Sequence, residues 1–423
     1  MKCIIALILT IPVFAAPAGA VTLRVTEFGA IADGQSDCTA AFQRALDAAA
    51  AANGGIVEVP TGLYSFDGTL NVPMGVALRG VFQYAPSHAG IRDRSAERPE
   101  YGTVLLPRSG AGDEASAPFI TLGTNSVLQG VCIHYPDQKP DAESPTPYPF
   151  AIAMRGNNPA VIDVELLNPY KAIDASQNQR HLIRNVHGQP IAMGIYVDVI
   201  YDIGRIENVH WNPWWSIGTP VYKWQTENGV GFFFGKTDWH YVHNTFCFGY
   251  NVGYKFAETE KGVCNGNFLG IGADDCFTAV HIENSSPYGI LITNGEFVSF
   301  HGPDPTMVRV DETNTGTVRF VNSAFWGPCN RIAFVEGKGV IGFSDCTFFQ
   351  WAHHGRDYPA IDVVGGTILV RGCEFAQDRK HVTLRRPVDR AIITENIVPF
   401  EPHIQNRAYG NVVIRDNVGV PKL

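Results

Sequence analysis

Two adjacent carboxylates, Asp274 and Asp275, stand in the stretch Asn265 to Phe277 (NGNFLGIGADDCF). Neighbouring carboxyls repel when both are ionised, so one of them tends to keep its proton. A protonated acid beside an ionised one is what cleavage of a glycosidic bond requires. The acid protonates the leaving oxygen, and the carboxylate activates water or attacks directly. In a regular strand neighbouring residues point to opposite faces. Both can act together only if the backbone turns there, and Gly270 and Gly272 permit a bend. The alternative is a turn that two Asp side chains merely stabilise. Asp238, within Gly235 to His240 (GKTDWH), is the next candidate acid, followed by Glu227 and by Glu283. His240, His353 and His354 are candidates for orienting a carboxylate or holding substrate. His210 and His243 alternate with apolar residues, as structural histidines do.

Aromatic residues recur near these groups: Trp211-Asn-Pro-Trp214-Trp215, Trp239, Tyr250, Tyr254, Trp326, and Trp351 beside the His pair. Pyranose rings have apolar faces that pack on indole, while their hydroxyls need polar partners at the rim. The expected catalytic set is therefore Asp274, Asp275 and Asp238. The expected substrate-binding set is Trp211, Trp214, Trp215, Trp239, His240, Tyr250, Tyr254, Glu283, Trp326, His353 and His354. The competing reading is that Trp and Tyr only cover seams of the fold. Arg205, Lys223 and Lys236 could meet an acidic substrate, but positive charge is sparse for a strongly uronate-specific groove.

These residues share a site only if a regular scaffold brings them together. From Val127 onward short apolar strands recur, each ending near Asn, Asp or Gly: VLQGVCI, VIDVELL, LIRNVHG, RIENVHW, YVHNTFC, VCNGNFL, ILITNGEF, VRFVNSAF, GFSDCTF, LVRGCEF and AIITEN. The matched positions are Asp163, Asn185, Asn208, Asn244, Asn267, Asn294, Asn322, Asp345, Gly372 and Asn396, mostly about 22 to 28 residues apart, the signature of a solenoid. One coil cannot bury its apolar side chains alone, whereas stacked coils pair in parallel at about 4.8 Å and share one interior. Phe268, Phe297, Phe325, Phe348 and Phe375 are expected to stack there. Two-residue hairpin turns, which a sandwich would need, do not recur. The expected fold is thus all-β, a right-handed single-stranded parallel β-helix. Equal phase in the repeat should place the aromatic and acidic residues along one groove. An amphipathic helix at Asp37 to Asn53 is expected to cap the N-terminal end, with Asp37 as its cap and Asn53-Gly54-Gly55 as its stop.

Composition narrows the partners. Formal charge is −9 for the full chain, with no basic block, so nucleic acid is not expected as a ligand. Met1 and Lys2, the apolar run Ile4 to Phe14, and Ala18-Gly19-Ala20 read as a secretory signal peptide over residues 1–20. Nothing else is long and apolar enough to anchor the chain in a bilayer. A secreted or periplasmic location follows, with residues 21–423 as one β-helix domain: an N-terminal cap over about 21–75 and groove-bearing coils over about 125–400. Cys38, Cys132, Cys247, Cys264, Cys276, Cys329, Cys346 and Cys373 show no C-x-x-C spacing, so no metal is expected. Free stacked cysteines and one or two disulfides are both open. The Pro-rich stretch 135–149 and residues 84–101 read as exposed loops.

Phe28 to Asp37 (FGAIADGQSD), the helix after it and GGIVEVPTGLY together resemble the N-terminal signature of the pectate-lyase-like superfamily of right-handed β-helices. The resemblance implies that this segment leads into and caps the helix, with Asp33 and Asp37 structural. Asn265 to Phe277 is similar to the polygalacturonase pattern in which a strand turns into G-x-D-D-C, which implies catalytic roles for Asp274 and Asp275. The G-H-G and R-I-K motifs of that family do not follow, and Lys236-Thr-Asp238 is a distorted counterpart of its N-T-D. The expected function is a glycoside hydrolase acting on a polysaccharide or oligosaccharide, without a cofactor. The alternatives are a polysaccharide lyase acting by β-elimination, for which calcium is a candidate ion, and a non-catalytic glycan-binding β-helix.

Overall fold

The computed structural model describes residues 21–93, 99–355 and 357–420. The signal peptide expected at residues 1–20 lies outside them. Among the described residues the sheet ladders are parallel, and each strand pairs with its counterpart one coil later. One sheet of 13 strands runs in strict chain order, from Leu70–Val72 to Ile404–Asn406. A second sheet, of 26 strands, supplies two strands to most coils, one on each side of a corner. Such serial parallel winding makes the molecule a right-handed parallel β-helix.

The corner explains the repeat seen in sequence. One residue per coil sits in the left-handed region there: Gly130, Asp163, Asn185, Asn208, Asn244, Gly270, Asn294, Asn322, Asp345, Gly372, Glu395 and Asp416, with φ between 47° and 69°. Asn, Asp and Gly tolerate that conformation best. Asn side chains also bond along the stack: Asn185 Nδ2 donates to Asp163 Oδ1, Asn208 Nδ2 to Asn185 Oδ1 and Asn322 Nδ2 to Asn294 Oδ1, each at 2.8 Å. Two expected corners are displaced. Asn267 lies inside the strand Cys264–Leu269, and Gly270 turns that coil instead. Asn396 is buried, its Oδ1 accepting the Cys373 N–H at 2.9 Å, and Glu395 makes the turn.

Counting from the corner sets every side chain's direction, because strand residues alternate. The third residue after it points inward, giving Trp211, Cys247, Ala273, Phe297, Phe325, Phe348 and Phe375 in one paired row. Ring centroids in this row lie 5.2 Å apart for Phe297–Phe325, 5.5 Å for Phe325–Phe348 and 4.8 Å for Phe348–Phe375. Phe268 belongs to a different inner row, against Phe234 and Phe256. Phe325→Ala removes a ring wedged among Phe297, Phe320, Phe343 and Phe348. It should cost about 3–5 kcal/mol of unfolding free energy; a loss below about 1 kcal/mol in urea titration would show that the row is loosely packed.

At the N-terminal end, helix α1 (Thr39–Ala51) buries Ala41, Phe42, Ala45, Leu46 and Ala49 against the first coils. Asp37 Oδ1 accepts the Thr39 N–H at 3.0 Å, and Asn53 leaves the helix at φ 65°. At the other end the strand Asn411–Arg415 forms the last coil but one short strand, and Val413, Ile414 and Val418 are exposed. The eight described cysteines are buried and free.

The outer face of the 26-stranded sheet is covered over its N-terminal half. Val104, Leu106, Cys132, Leu167, Ile191, Trp215 and Val221 form a second apolar cluster there. Phe82 and Ala89 of one loop, Ala142 of the Pro-rich loop, and Trp224 of helix α2 (Pro220–Asn228) pack against it. Where this cover ends, the outer face opens.

Candidate functional site

The opening falls at Asp274. In the coil that turns at Gly270, the fourth residue after the corner points outward, and in this coil it is Asp274. Gly272 is paired with Glu296 of the next coil, and Glu296 with Ala324 of the one after. Asp274, Glu296 and Trp326 therefore share a cleft of about 340 Å³ with Asn244, Phe246 and Asn294. Trp326 is 41% exposed, and its indole Nε1–H donates to Glu296 Oε1 at 2.8 Å. Burial raises the Asp274 pKa above the usual carboxylate range; the Asp275 N–H works against this, and the charges of Asp275 and Glu296 add to it.

The turn that the Asp pair requires is present. Asp275 has φ 54°, and the register with the next strand shifts between Ala273 and Cys276. The turn sends the two carboxyls into different surroundings. Asp275 is only 5% exposed, and its Oδ2 accepts the Tyr222 hydroxyl at 2.5 Å and lies 2.8 Å from His301 Nε2. Its Oδ1 is buried without a hydrogen-bond partner. Tyr222 comes from α2 and lines, with Lys223, His301 and Phe277, a second cleft of about 490 Å³. Burial, then the Asp275 charge, pushes the Tyr222 pKa far up, so this phenol stays protonated and donates.

A third and larger cleft, about 820 Å³, lies across the corner. Tyr241, Asn267 and Leu291 are paired along its floor, each three residues before its own corner. Trp239 is 63% exposed and Tyr288 84% exposed at its rim. Asp238 stands here, paired with Lys236 and accepting from Asn265 Nδ2 at 3.3 Å. It is separated from Asp274 by the Asn244 corner and does not share its cleft.

The other expected ligands divide sharply. Trp211 is buried inside the coil near Phe232, because the third residue after a corner points inward. Trp215 is buried in the outer apolar cluster. Tyr250 is buried with its hydroxyl on the Pro190 carbonyl at 2.6 Å, and Tyr254 stacks on Phe232 at 4.7 Å. His240 is buried 5.1 Å from the His181 ring. These five are core residues and contact no groove. Trp214 is half-buried near Phe248, whose coil position is paired with Asp274. Glu283 is on another face, 2.6 Å from Lys255. His353 and His354 are exposed in a turn, with His354 Nδ1 3.0 Å from Asn330 Oδ1, and line none of the three clefts. Glu296, Tyr222, His301, Tyr241 and Tyr288 were not among the expected residues. Counting two outward residues from Asn294 would have reached Glu296; no local pattern marked Tyr222 or His301.

The sequence model of the family "Rhamnogalacturonase A/epimerase, pectate lyase-like" matches residues 22–89. Across the whole molecule, the catalytic unit of a GH87 α-1,3-glucanase from Streptomyces thermodiastaticus superposes with TM-score 0.52 at 16% identity, covering 96% of this chain and 70% of that one. The fold is that of a right-handed parallel β-helix. DFA-IIIase from Arthrobacter chlorophenolicus shares this β-helix with TM-score 0.57 at 11% identity, over 94% of this chain and 99% of the other. Mannuronan C5-epimerase AlgE3 of Azotobacter vinelandii is 57% identical over 45 residues, which is 11% of this chain and 2% of that protein. The family match ends well before Asp274 and does not bear on the acidic site.

Proposed function

We propose that this β-helix is an exported carbohydrate-active enzyme, a glycoside hydrolase in which Asp274 is the general acid and Glu296 the second carboxylate. The observation that carries the reading is Asp274 with a raised pKa beside Glu296, in an open cleft walled by Trp326. Burial, with the Asp275 charge added to it, favours the protonated form of Asp274, and Tyr222 and His301 hold Asp275. Structures of the same fold named as a glucanase and a DFA-IIIase, and a short sequence likeness to a mannuronan epimerase, support a saccharide substrate. Reducing-sugar release from a panel of α-glucans, fructans, pectins and alginates tests the proposal. No release from any of them, with binding retained, would favour the non-catalytic alternative.

The α2 segment and the two loops rise over the outer face on the N-terminal side of Asp274. A groove closed at one side favours action from a chain end. Early products should then be short; mid-sized oligomers appearing first would argue for internal cleavage.

The cleft of Trp239, Tyr241 and Tyr288 fits a remote sugar-binding site, with exposed rings for the apolar faces of pyranoses. Trp239→Ala should weaken polysaccharide retention in affinity electrophoresis by about 1–3 kcal/mol while leaving the melting temperature unchanged. Unchanged retention would remove this cleft from the binding surface.

A second reading, elimination or epimerisation of a uronate, has one specific observation behind it: Lys223 and His301 lie together in the cleft beside Asp275. Lys223 would meet a carboxylate and His301 would take the adjacent proton. An unsaturated product absorbing in the ultraviolet, sensitive to chelator, distinguishes elimination from hydrolysis.

A further inference from the structure

Beneath the loop that covers the N-terminal half of the sheet, His88, Cys132 and Glu165 meet. Cys132 and Glu165 are neighbouring partners in the outward row, and His88 reaches them from the loop. One ligand atom from each lies within 4.8 Å of the others. Side-chain exposure is 2% for both His88 and Glu165, and Cys132 is fully buried. His88 Nε2 lies 3.1 Å from the Tyr101 carbonyl oxygen, which can only accept, so Nε2 carries the hydrogen. In the neutral ring Nδ1 then bears a lone pair, and it points directly at Glu165 Oε2. A proton shared between Nδ1 and Oε2 holds the pair together, and a metal ion that displaced it would meet both atoms with the Cys132 thiol beside them. The other carboxylate oxygen is already taken by the His88 backbone N–H at 2.7 Å.

We propose that His88 Nδ1, Cys132 Sγ and Glu165 bind a zinc ion that staples this loop to the β-helix. Imidazole, thiolate and carboxylate are the donors zinc takes, whereas calcium needs a cage of oxygens. Zinc with one thiolate and one carboxylate is electrically neutral, which suits burial. On binding, the Cys132 S–H proton and any proton shared by His88 and Glu165 leave to solvent. The Nε2–H to carbonyl bond is the outer support that zinc-binding histidines usually have. Beside Glu165 a cavity of about 10 Å³, lined also by His187 and Gln189, is the size of one water.

The test uses the full-length protein expressed in zinc-supplemented medium and passed over chelating resin before metal analysis. About one zinc per chain is expected, falling to background in Cys132→Ser and in His88→Gln. Growth on cobalt should give a thiolate-to-cobalt absorption band that Cys132→Ser abolishes. Wild-type protein without zinc and without that band would overturn the proposal and assign the bridging charge to a proton. Variants that keep the metal would overturn it equally. Should His88→Gln fail to fold, the cobalt band of the wild type decides alone.

Discussion

Asp274→Asn should lower kcat by about 10²- to 10⁴-fold, the usual contribution of a positioned general acid. Substrates with a good leaving group should recover much of the loss, because their departing oxygen needs little protonation. Stability should move the other way. The folded-state pKa of Asp274 is raised, chiefly by burial. The unfolded chain therefore ionises first, and the native state loses stability as pH climbs from the ordinary carboxylate value through the raised one. Asn cannot ionise and its amide oxygen can still accept the Asp275 N–H. The variant should melt higher than wild type at pH 7, with the advantage gone below about pH 4, where both chains are neutral at this position. Equal melting temperatures across that range would show that Asp274 is not held in its neutral form, and its role as the acid would fall. A gain of stability with a loss of rate is the trade expected when a site is built against its own electrostatics.

The repeat was legible because the corner demands a left-handed residue in every coil, and Asn, Asp and Gly leave a visible trace at that position. Its phase was harder to read. Taking Asn267 rather than Gly270 as the marker shifted that coil by three residues, and a shift by an odd number exchanges the inner and outer faces of a strand. Correct phase puts Trp211 inside, as the third residue after Asn208, and puts Asp274 and Trp326 outside on one row. The Trp-rich cluster looked like a sugar platform, yet Trp211 and Trp215 pack apolar surface on the two sides of the same sheet. Tyr222 and His301 were illegible for a different reason. They reach Asp275 from α2 and from the loop after Phe300, and such excursions lie outside the period that positions everything else. Trp239 and Tyr288, both exposed, stand on the other side of the corner. The single groove expected from equal phase is therefore two clefts on adjoining faces.

Glu296→Gln should cost about as much as the loss of the acid, about 10²- to 10⁴-fold in kcat, whether Glu296 activates water or attacks the sugar itself. The reason is local. Glu296 is exposed, its Oε1 is fixed by the Trp326 indole, and it lines the same cleft as Asp274. Burial favours the protonated form of Asp274, whereas the Trp326 indole N–H fixes the orientation of Glu296, so the two acids stand in different surroundings. This difference separates the two variants experimentally. Glu296→Gln should gain nothing from a better leaving group, while Glu296→Ala should be partly restored by azide, a small anion able to occupy the space and attack in its place. Asp274→Asn should show the reverse pattern. Trp326→Phe keeps the ring but removes the N–H donor, and should lower kcat by about tenfold with little change in KM, since Glu296 loses the bond that orients it. If azide does not restore Glu296→Ala and Trp326→Phe leaves kcat unchanged, Glu296 has no part in the reaction, and its pairing with Asp274 falls.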